Sequence, residues 1–387
     1  MRVLICGAGI AGLTLAWWLR RSGAEVTVVE KAAGPRSDGY MMDFFGSGYD
    51  VAERMGILDA LREAAADITE LAYADRQGRR VGGLRYASFT AMLDGRVLSL
   101  MRGDLEAVLR SALGDGAEIR YGTSVAAVRD VPGGVDVELT DGGAHRADLL
   151  VGADGIHSVV RRLAFGPEEG FLRPLGYHTA SYLLDDAELA EAVGPRFVLV
   201  GVPDRQAGLY PTRSGRLAAS LIHASTATSL PADPRAEILA VYRGLGPMAD
   251  RALAHCPEDP YYDHVAQVEM PGWSRGRVTL VGDAAHAVSL MAGQGSSMAM
   301  GGAYTLATEL LGADVEAALD RYERRMRPFV LGKQRSGRNT ADWMVPHRAW
   351  QITLRNRLFG LADLPGGTAV MGRALRSLGA SVASPAG

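Results

Sequence analysis

One stretch constrains this chain more than any other: Arg2-Val3-Leu4-Ile5-Cys6-Gly7-Ala8-Gly9-Ile10-Ala11-Gly12, answered by Val26-Thr27-Val28-Val29-Glu30. An apolar run breaks on glycines, continues with helical spacing, and returns as a second apolar run ending on an acid. Strands apolar on both faces belong to a parallel sheet covered on both sides, so the pattern predicts a βαβ unit over residues 1–30. Gly7 permits the tight turn, Gly9 removes the side chain that would hold a pyrophosphate off the backbone, and Gly12 lets helix and strand pack closely. The first-turn N–H groups of the helix then face the phosphates of an adenine dinucleotide. Glu30 is placed to accept hydrogen bonds from a ribose diol and would repel a 2′-phosphate. The nucleotide expected here is therefore FAD or NAD rather than NADP.

Composition narrows the partners. With 387 residues, 48% of them hydrophobic, the chain can bury a large core and divide into two domains. A net charge of −3 gives no basic field for nucleic acid. Cys6 falls in the first strand as a core residue. Cys256 lies in the loop His255-Cys256-Pro257-Glu258-Asp259-Pro260, which supplies no ligand cluster. Neither a metal site nor a disulfide framework is expected, and the location expected is a reducing cytoplasm. The start enters a strand at once, with no secretory leader, and no apolar run is long enough to span a bilayer. No membrane partner is expected; the moderately apolar tail reads as a surface for a partner subunit, in a monomer or homodimer.

The chain alternates between two patterns. Residues 34–48 are rich in glycine and aromatics and read as a loop lining one side of a ligand. Val51–Met55 and Ile57–Ala66 read as helices, Leu71–Leu100 as short strands, and Arg102–Leu113 as a helix with apolar Leu105, Val108 and Leu109. Glu118–Tyr121, Val125–Asp130, Val135–Thr140 and Ala147–Val151 read as strands separated by glycine turns. Longer strands follow at Phe197–Val202, Gly208–Thr212 and Leu217–Ile222, with a helix near Arg235–Leu245. A buried strand returns at Val278–Val281, then a helix from Ser296 or Ser297 toward Leu311, and another over Val315–Pro328. The fold class predicted is α/β, a Rossmann-like domain of glutathione-reductase type with an inserted, mostly antiparallel sheet and C-terminal helices. In pieces, the nucleotide domain takes residues 1–70, 101–175 and 269–330, the sheet domain 71–100 and 176–268, and a helical region 331–387.

Two further motifs sharpen the reading. Leu149-Leu150-Val151-Gly152-Ala153-Asp154-Gly155 is followed by Ser158 and Arg161, which as residues alone also fits a turn and helix cap. Val278-Thr279-Leu280-Val281-Gly282-Asp283-Ala284-Ala285-His286 is followed by Gly293-Gln294-Gly295. An Asp after a buried strand can bind ribityl or ribose hydroxyls, and the glycines admit a pyrophosphate or a flavin ring. Together with Met101-Arg102-Gly103-Asp104-Leu105, these residues resemble the class A flavoprotein monooxygenases of the p-hydroxybenzoate hydroxylase fold, over roughly residues 1 to 330. The chain is most similar to the short, single-component members acting on aromatic polyketides and tetracyclines. Two features depart from the family pattern. Its prolines are absent from Ala287-Val288-Ser289-Leu290-Met291-Ala292, and Ser297 replaces the Asn that follows Gly-Gln-Gly.

The resemblance implies bound FAD, with NADPH or NADH as a transient cosubstrate, and O₂ activation as a flavin C4a-hydroperoxide that hydroxylates, epoxidises or inserts oxygen into an aromatic or polyketide-like molecule. FAD contacts are expected from Gly7, Gly9, Ile10, Ala11, Gly12, Glu30, Lys31, Arg102, Val125, Asp154, Gly155, Asp283, Gly293, Gln294, Gly295 and Ser296. Substrate contacts are expected from Tyr40, Met42, Phe45, Arg85, Phe89, Phe197, Tyr210, His223 and Met291, each of which also suits a core. No proton-transfer residue is assigned; His286 fits a general base or a structural group. Three alternatives stay open: a cyclase using FAD structurally, a flavin oxidase or dehydrogenase, and a non-enzymatic flavin-binding protein.

Overall fold

The computed structural model describes residues 1–35, 40–312 and 314–362. At its centre the strands Arg2–Cys6, Glu25–Glu30, Glu118–Tyr121, Leu149–Gly152 and Val278–Leu280 form a parallel sheet, with the short strand Ser274–Arg275 antiparallel at one edge. Ile5 sits between Val28 and Val151 in register. All three are fully buried, because helices Ile10–Arg21 and Gly295–Glu309 cover one face and an antiparallel three-stranded ribbon, residues 125–147, covers the other. Trp17 and Trp18 stack edge-on in that helical layer and pack, as their sequence setting suggests.

The second unit is a seven-stranded sheet, ordered Tyr261–Val268, Leu172–Leu184, Leu217–Ala224, Arg205–Pro211, Arg196–Val202, Glu70–Ala74 and Arg80–Arg85. Every pairing is antiparallel except that between Arg196–Val202 and Glu70–Ala74. Helices Pro234–Tyr242 and Pro247–Ala254 bury its outer face, while the inner face looks toward the parallel sheet's domain. This is the Rossmann-like domain with inserted sheet and C-terminal helices that the sequence predicts.

Local readings fail where long-range pairing intervenes. Met41–Phe45, expected as loop, forms a strand against Val97–Met101, and residues 36–39 of that stretch lie outside the described residues. Tyr86–Met92 is a helix inside the region read as strands. The single strand expected over Ala147–Val151 splits at Asp148, so that Ala144–Ala147 joins the ribbon and Leu149–Gly152 the parallel sheet. The helix expected to end at Pro328 runs from Val315 to Met344. Leu319, Tyr322, Met326 and Val330 keep one buried stripe across the proline, and that packing outweighs the roughly 3 kcal/mol that an interior proline costs. The Gly/Pro-rich end of the 331–387 region lies outside the described residues. Among the described residues, no helix is long and apolar enough to cross a membrane.

Candidate active site

The glycine turn is built by exclusion. Gly7 holds φ at +110°, and a Cβ there would lie 2.4 Å from the Ala153 carbonyl oxygen. A Cβ on Gly12 would come within 1.9 Å of the Gly7 carbonyl oxygen, so only glycine lets this helix start so close to its strand. Gly9, by contrast, opens onto a cavity, with Arg102 Nη2 and Glu106 Oε1 each 3.6 Å from where its Cβ would be. The helix beginning at Ile10 has no side-chain cap and no acid in its first turn, which leaves its N–H groups for an anion.

That cavity, about 760 Å³, runs from the glycine turn to the inner face of the seven-stranded sheet. At the turn, Gly7, Gly9, Ile10 and Ala11 line it, beside Glu30 and Lys31. Glu30 Oε2 accepts the Ala8 N–H and Oε1 the Ala32 N–H, both at 2.9 Å; each carboxylate oxygen keeps a further lone pair for a diol. Midway, Arg102 projects from the start of the helix Arg102–Leu113 and pairs with Glu106 Oε1 at 2.9 Å. Asp154, Gly155, Asp283, Gly295 and Ser296 complete this stretch. Burial pushes the Asp283 carboxyl up, and the Arg102 guanidinium opposes that rise.

Asp154 acts on its own chain. Its Oδ1 accepts the Ser158 hydroxyl at 2.5 Å, and its Oδ2 the N–H groups of Val159 and Val160 at 2.7 and 3.1 Å. Ser158 in turn caps the helix Val159–Phe165 by accepting from the Arg161 N–H. The buried Arg161 donates to the carbonyls of Ile156 and Ala284, lashing the Asp154-Gly155 corner to the Asp283 corner. The motif thus forms a turn and helix cap, and Asp154 and Gly155 both line the cavity.

The remaining expected cofactor residues lie outside the cavity lining. Gly12 packs the helix against its strand, and Val125 is buried at the start of the ribbon. Gly293 closes a short turn at φ +60° and Gln294 is buried. In the loop without prolines, Ser289 takes φ +88° and its hydroxyl accepts the Met291 N–H. Two buried glutamines fix the same loop: Gln267 donates to the Val288 carbonyl and Gln334 to that of Ala287. Hydrogen bonds replace ring stiffness there.

Of the expected substrate residues, the cavity gathers Tyr40 and Met42. The others pack elsewhere. Phe45 and Phe89 meet edge-on beneath the two-stranded ribbon, and Arg85 is exposed. Phe197 and Tyr210 stack on the inner face of the sheet, the Tyr210 hydroxyl accepting the Met41 N–H at 2.8 Å. Met291 is buried among Tyr177, Ile222 and Val265. His223 points to the outer face, bonded to the Tyr242 hydroxyl, and burial takes it down to about 4. Strand alternation decides this, since a one-residue step moves a side chain to the other face. His286 is buried against Trp273, outside the cavity lining, and that burial pushes it down to about 4.

Sequence reasoning missed the corner where the two units meet. His157 is bonded through Nδ1 to Glu168 Oε1 at 2.9 Å and through Nε2 to Asp263 Oδ2 at 3.1 Å. Asp263 above all, and then Glu168, hold the imidazole charged, raising it to about 9. Tyr261 and Ser181 stand beside it in the cavity wall. Glu106 had a findable signal, four residues after Arg102 on one helix face. Tyr261 and Asp263 had none, because only the folded sheet brings them to the cavity.

Glycine cradle, uncapped helix start, the strand-end Glu30 and the cavity-lining Asp283 fit an FAD molecule laid along this cavity, and together they define a flavin-binding fold. Residues 1–333 match the FAD binding domain family. An uncharacterised protein of Mycobacterium tuberculosis is 34% identical, over 86% of this chain and 91% of its own. A flavin-dependent monooxygenase from an unknown prokaryotic organism is 31% identical, over 87% and 88%. Among solved structures, the tetracycline destructase Tet(55) superposes with a TM-score of 0.80 at 27% identity, over 95% and 96% of the two chains. Klebsiella pneumoniae HpxO, complexed with FAD and uric acid, superposes with a TM-score of 0.80 at 25% identity, over 98% and 97%. The chain belongs to this FAD-binding family, as a class A flavoprotein monooxygenase of the p-hydroxybenzoate hydroxylase fold. It is an FAD-dependent enzyme that uses O₂ on a small organic substrate.

Proposed function

We propose that the enzyme consumes NADPH or NADH to oxygenate an aromatic or polyketide-like molecule, by hydroxylation, epoxidation or ester insertion. The observation that carries this reading is the single cavity joining the glycine turn to the inner sheet face. One end suits a dinucleotide, and the other offers Tyr40, Met42, Leu183 and Tyr261 to a flat apolar body, with Ser181 as a polar anchor. Tet(55), named for tetracycline, and HpxO, complexed with uric acid, both support a ring-bearing substrate on this frame.

FAD held in the cavity would supply the redox chemistry for nicotinamide-driven oxygenation of the substrate. The chain holds and shields it. The first turn of the helix from Ile10 takes the pyrophosphate, Glu30 a ribose diol, and Arg102 and Asp283 the middle of the molecule. The Arg102–Glu106 pair keeps the guanidinium extended over the cavity rather than folded onto solvent. The charged His157 joins the flavin-side corner to the substrate sheet through Asp263.

The test is anaerobic mixing with NADPH or NADH across a panel of polycyclic phenols, followed by turnover in ¹⁸O₂. Rapid bleaching of the flavin with one panel member, and label in the product, is expected. Product that forms without O₂ or nicotinamide would make the protein a cyclase, and unlabelled product with stoichiometric peroxide an oxidase.

A further inference from the structure

The ribbon that walls the cavity carries a carboxyl where its pattern calls for an apolar side chain. Strands Met41–Phe45 and Val97–Met101 set Met41 opposite Met101, Asp43 opposite Ser99 and Phe45 opposite Val97. These residues share one face. On it Met41 and Met101 pack with Tyr210, and Phe45 and Val97 with Phe89, so Asp43 stands in an otherwise apolar row. The groups that face it are the Ser99 hydroxyl of the paired strand and the Tyr86 hydroxyl of the helix Tyr86–Met92. No charged side chain among the described residues acts on its carboxyl.

The three groups close a ring. Asp43 Oδ1 lies 2.9 Å from Ser99 Oγ and 3.0 Å from the Tyr86 hydroxyl oxygen, and those two oxygens are 2.6 Å apart. Three oxygen–oxygen contacts of this length need three protons, and the two hydroxyls supply two. The third belongs to the carboxyl: as a neutral acid, Asp43 donates to one hydroxyl and accepts from the other. A carboxylate would leave one contact without a hydrogen and two oxygens opposed. Burial pushes the Asp43 carboxyl up, and the two hydroxyls oppose that rise.

What the ring holds reaches the cavity. Met42, on the opposite face of the ribbon, lines the cavity, as does Tyr40 just before the strand. The Tyr40 carbonyl accepts the Arg102 N–H at 3.1 Å, so the same end of the ribbon places Arg102. We propose that Asp43, protonated, closes a three-proton ring with Ser99 and Tyr86 that positions Tyr40, Met42 and Arg102 along the FAD cavity, and that losing this proton to water loosens the wall. Asp43 lies outside the cavity lining and acts through the ribbon; it is a positioning residue. The inference rests on the cavity holding FAD, whatever the substrate.

FAD release on dilution of the full-length holoenzyme, read as rising flavin fluorescence, is measured from about pH 5 to about pH 9, beside infrared spectra of the same samples. The wild type should show a protonated-carboxyl carbonyl band that fades with rising pH and is missing from Asp43→Asn. A carboxyl raised by folding contributes fully below the ordinary carboxylate range and loses its contribution as pH rises through the folded value, so FAD should weaken along the same step. Asp43→Asn, a neutral isostere, should stay within about twofold of the wild type at the acid end and lack the step, while Asp43→Ala weakens FAD there by about fivefold or more. Tyr86→Phe, at a half-exposed position, opens the ring with the carboxyl in place and should shift the band; it decides the matter if Asp43→Asn does not fold. No band difference between the wild type and Asp43→Asn, a pH step that Asp43→Asn retains, Asp43→Asn as weak as Asp43→Ala, or a band unmoved in Tyr86→Phe overturns the proposal. Every readout is free of substrate, so a failure of the proposed oxygenation leaves the ring standing.

Discussion

The two ends of the cavity are made of different materials. The glycine turn is backbone: Gly7 and Gly12 act through the atoms they lack, and their neighbours lie within a few residues or on the adjoining strand. The far corner is side chain: His157 meets Asp263 across 106 positions, and Tyr261 enters from the edge of another sheet. Such a site tolerates almost no change at Gly7 or Gly12, since a Cβ at either meets main chain that cannot move. A side-chain corner has exposed, partly solvated members and loses its contacts by degrees.

Four experiments can break or sharpen that contrast. The largest effect is expected from Gly12→Ala, whose Cβ would sit 1.9 Å from a carbonyl oxygen. It should cost more than about 3 kcal/mol and leave purified protein without flavin, as read by the absorption spectrum and thermal melting. A yellow variant of normal stability would end the backbone account. Next, Arg102→Met strands the buried Glu106 carboxylate and removes a cation from the cavity. FAD affinity should fall by about a hundredfold, near 3 kcal/mol, with part of the loss recovered in the double variant with Glu106→Gln; flavin fluorescence titration measures both.

A smaller effect is expected at His223, which lies on the outer face and bonds the Tyr242 hydroxyl. His223→Phe leaves that buried hydroxyl unpaired at a cost of about 1–2 kcal/mol. It should lower the melting temperature while leaving substrate KM unchanged; a shift in KM would return His223 to the substrate wall. The smallest is the pH dependence of the His157 corner. Its folded value of about 9 lies above the ordinary 6.5, so its stabilisation is complete below about 6.5 and disappears as pH rises through about 9. With the imidazole 42% exposed, the size is below about 1 kcal/mol. Thermal melts across that window should slope downward in the wild type and less so in His157→Gln. Parallel slopes would show that the corner carries no such link.

Much of the fold was legible because its signals are local. The alternation from Arg2 to Glu30 required a parallel βαβ unit, and the helix from Arg102 to Leu113 announced itself by apolar spacing. The readings that failed had a competing long-range partner. Met41–Phe45 looked like loop until Val97–Met101 supplied a ladder, and Pro328 looked like a helix end until a continuous buried stripe held the helix across it. Of the aromatic residues expected in the substrate wall, sheet alternation turns His223 to the outer helices, while Phe197 and Tyr210 pack on each other on the inner face and Phe45 packs on Phe89.

The sequence by itself determined the cradle, because a glycine turn, a helix start and a strand-end acid are fixed by backbone sterics within about thirty residues. Tertiary structure alone decided which side chains complete the cavity and which partners Asp43 finds. Those outcomes depend on how two sheets and their covering helices stack, and thus on distances between residues that no local pattern encodes. His157 reaches Asp263, and Asp43 meets Tyr86, only once that stacking is complete.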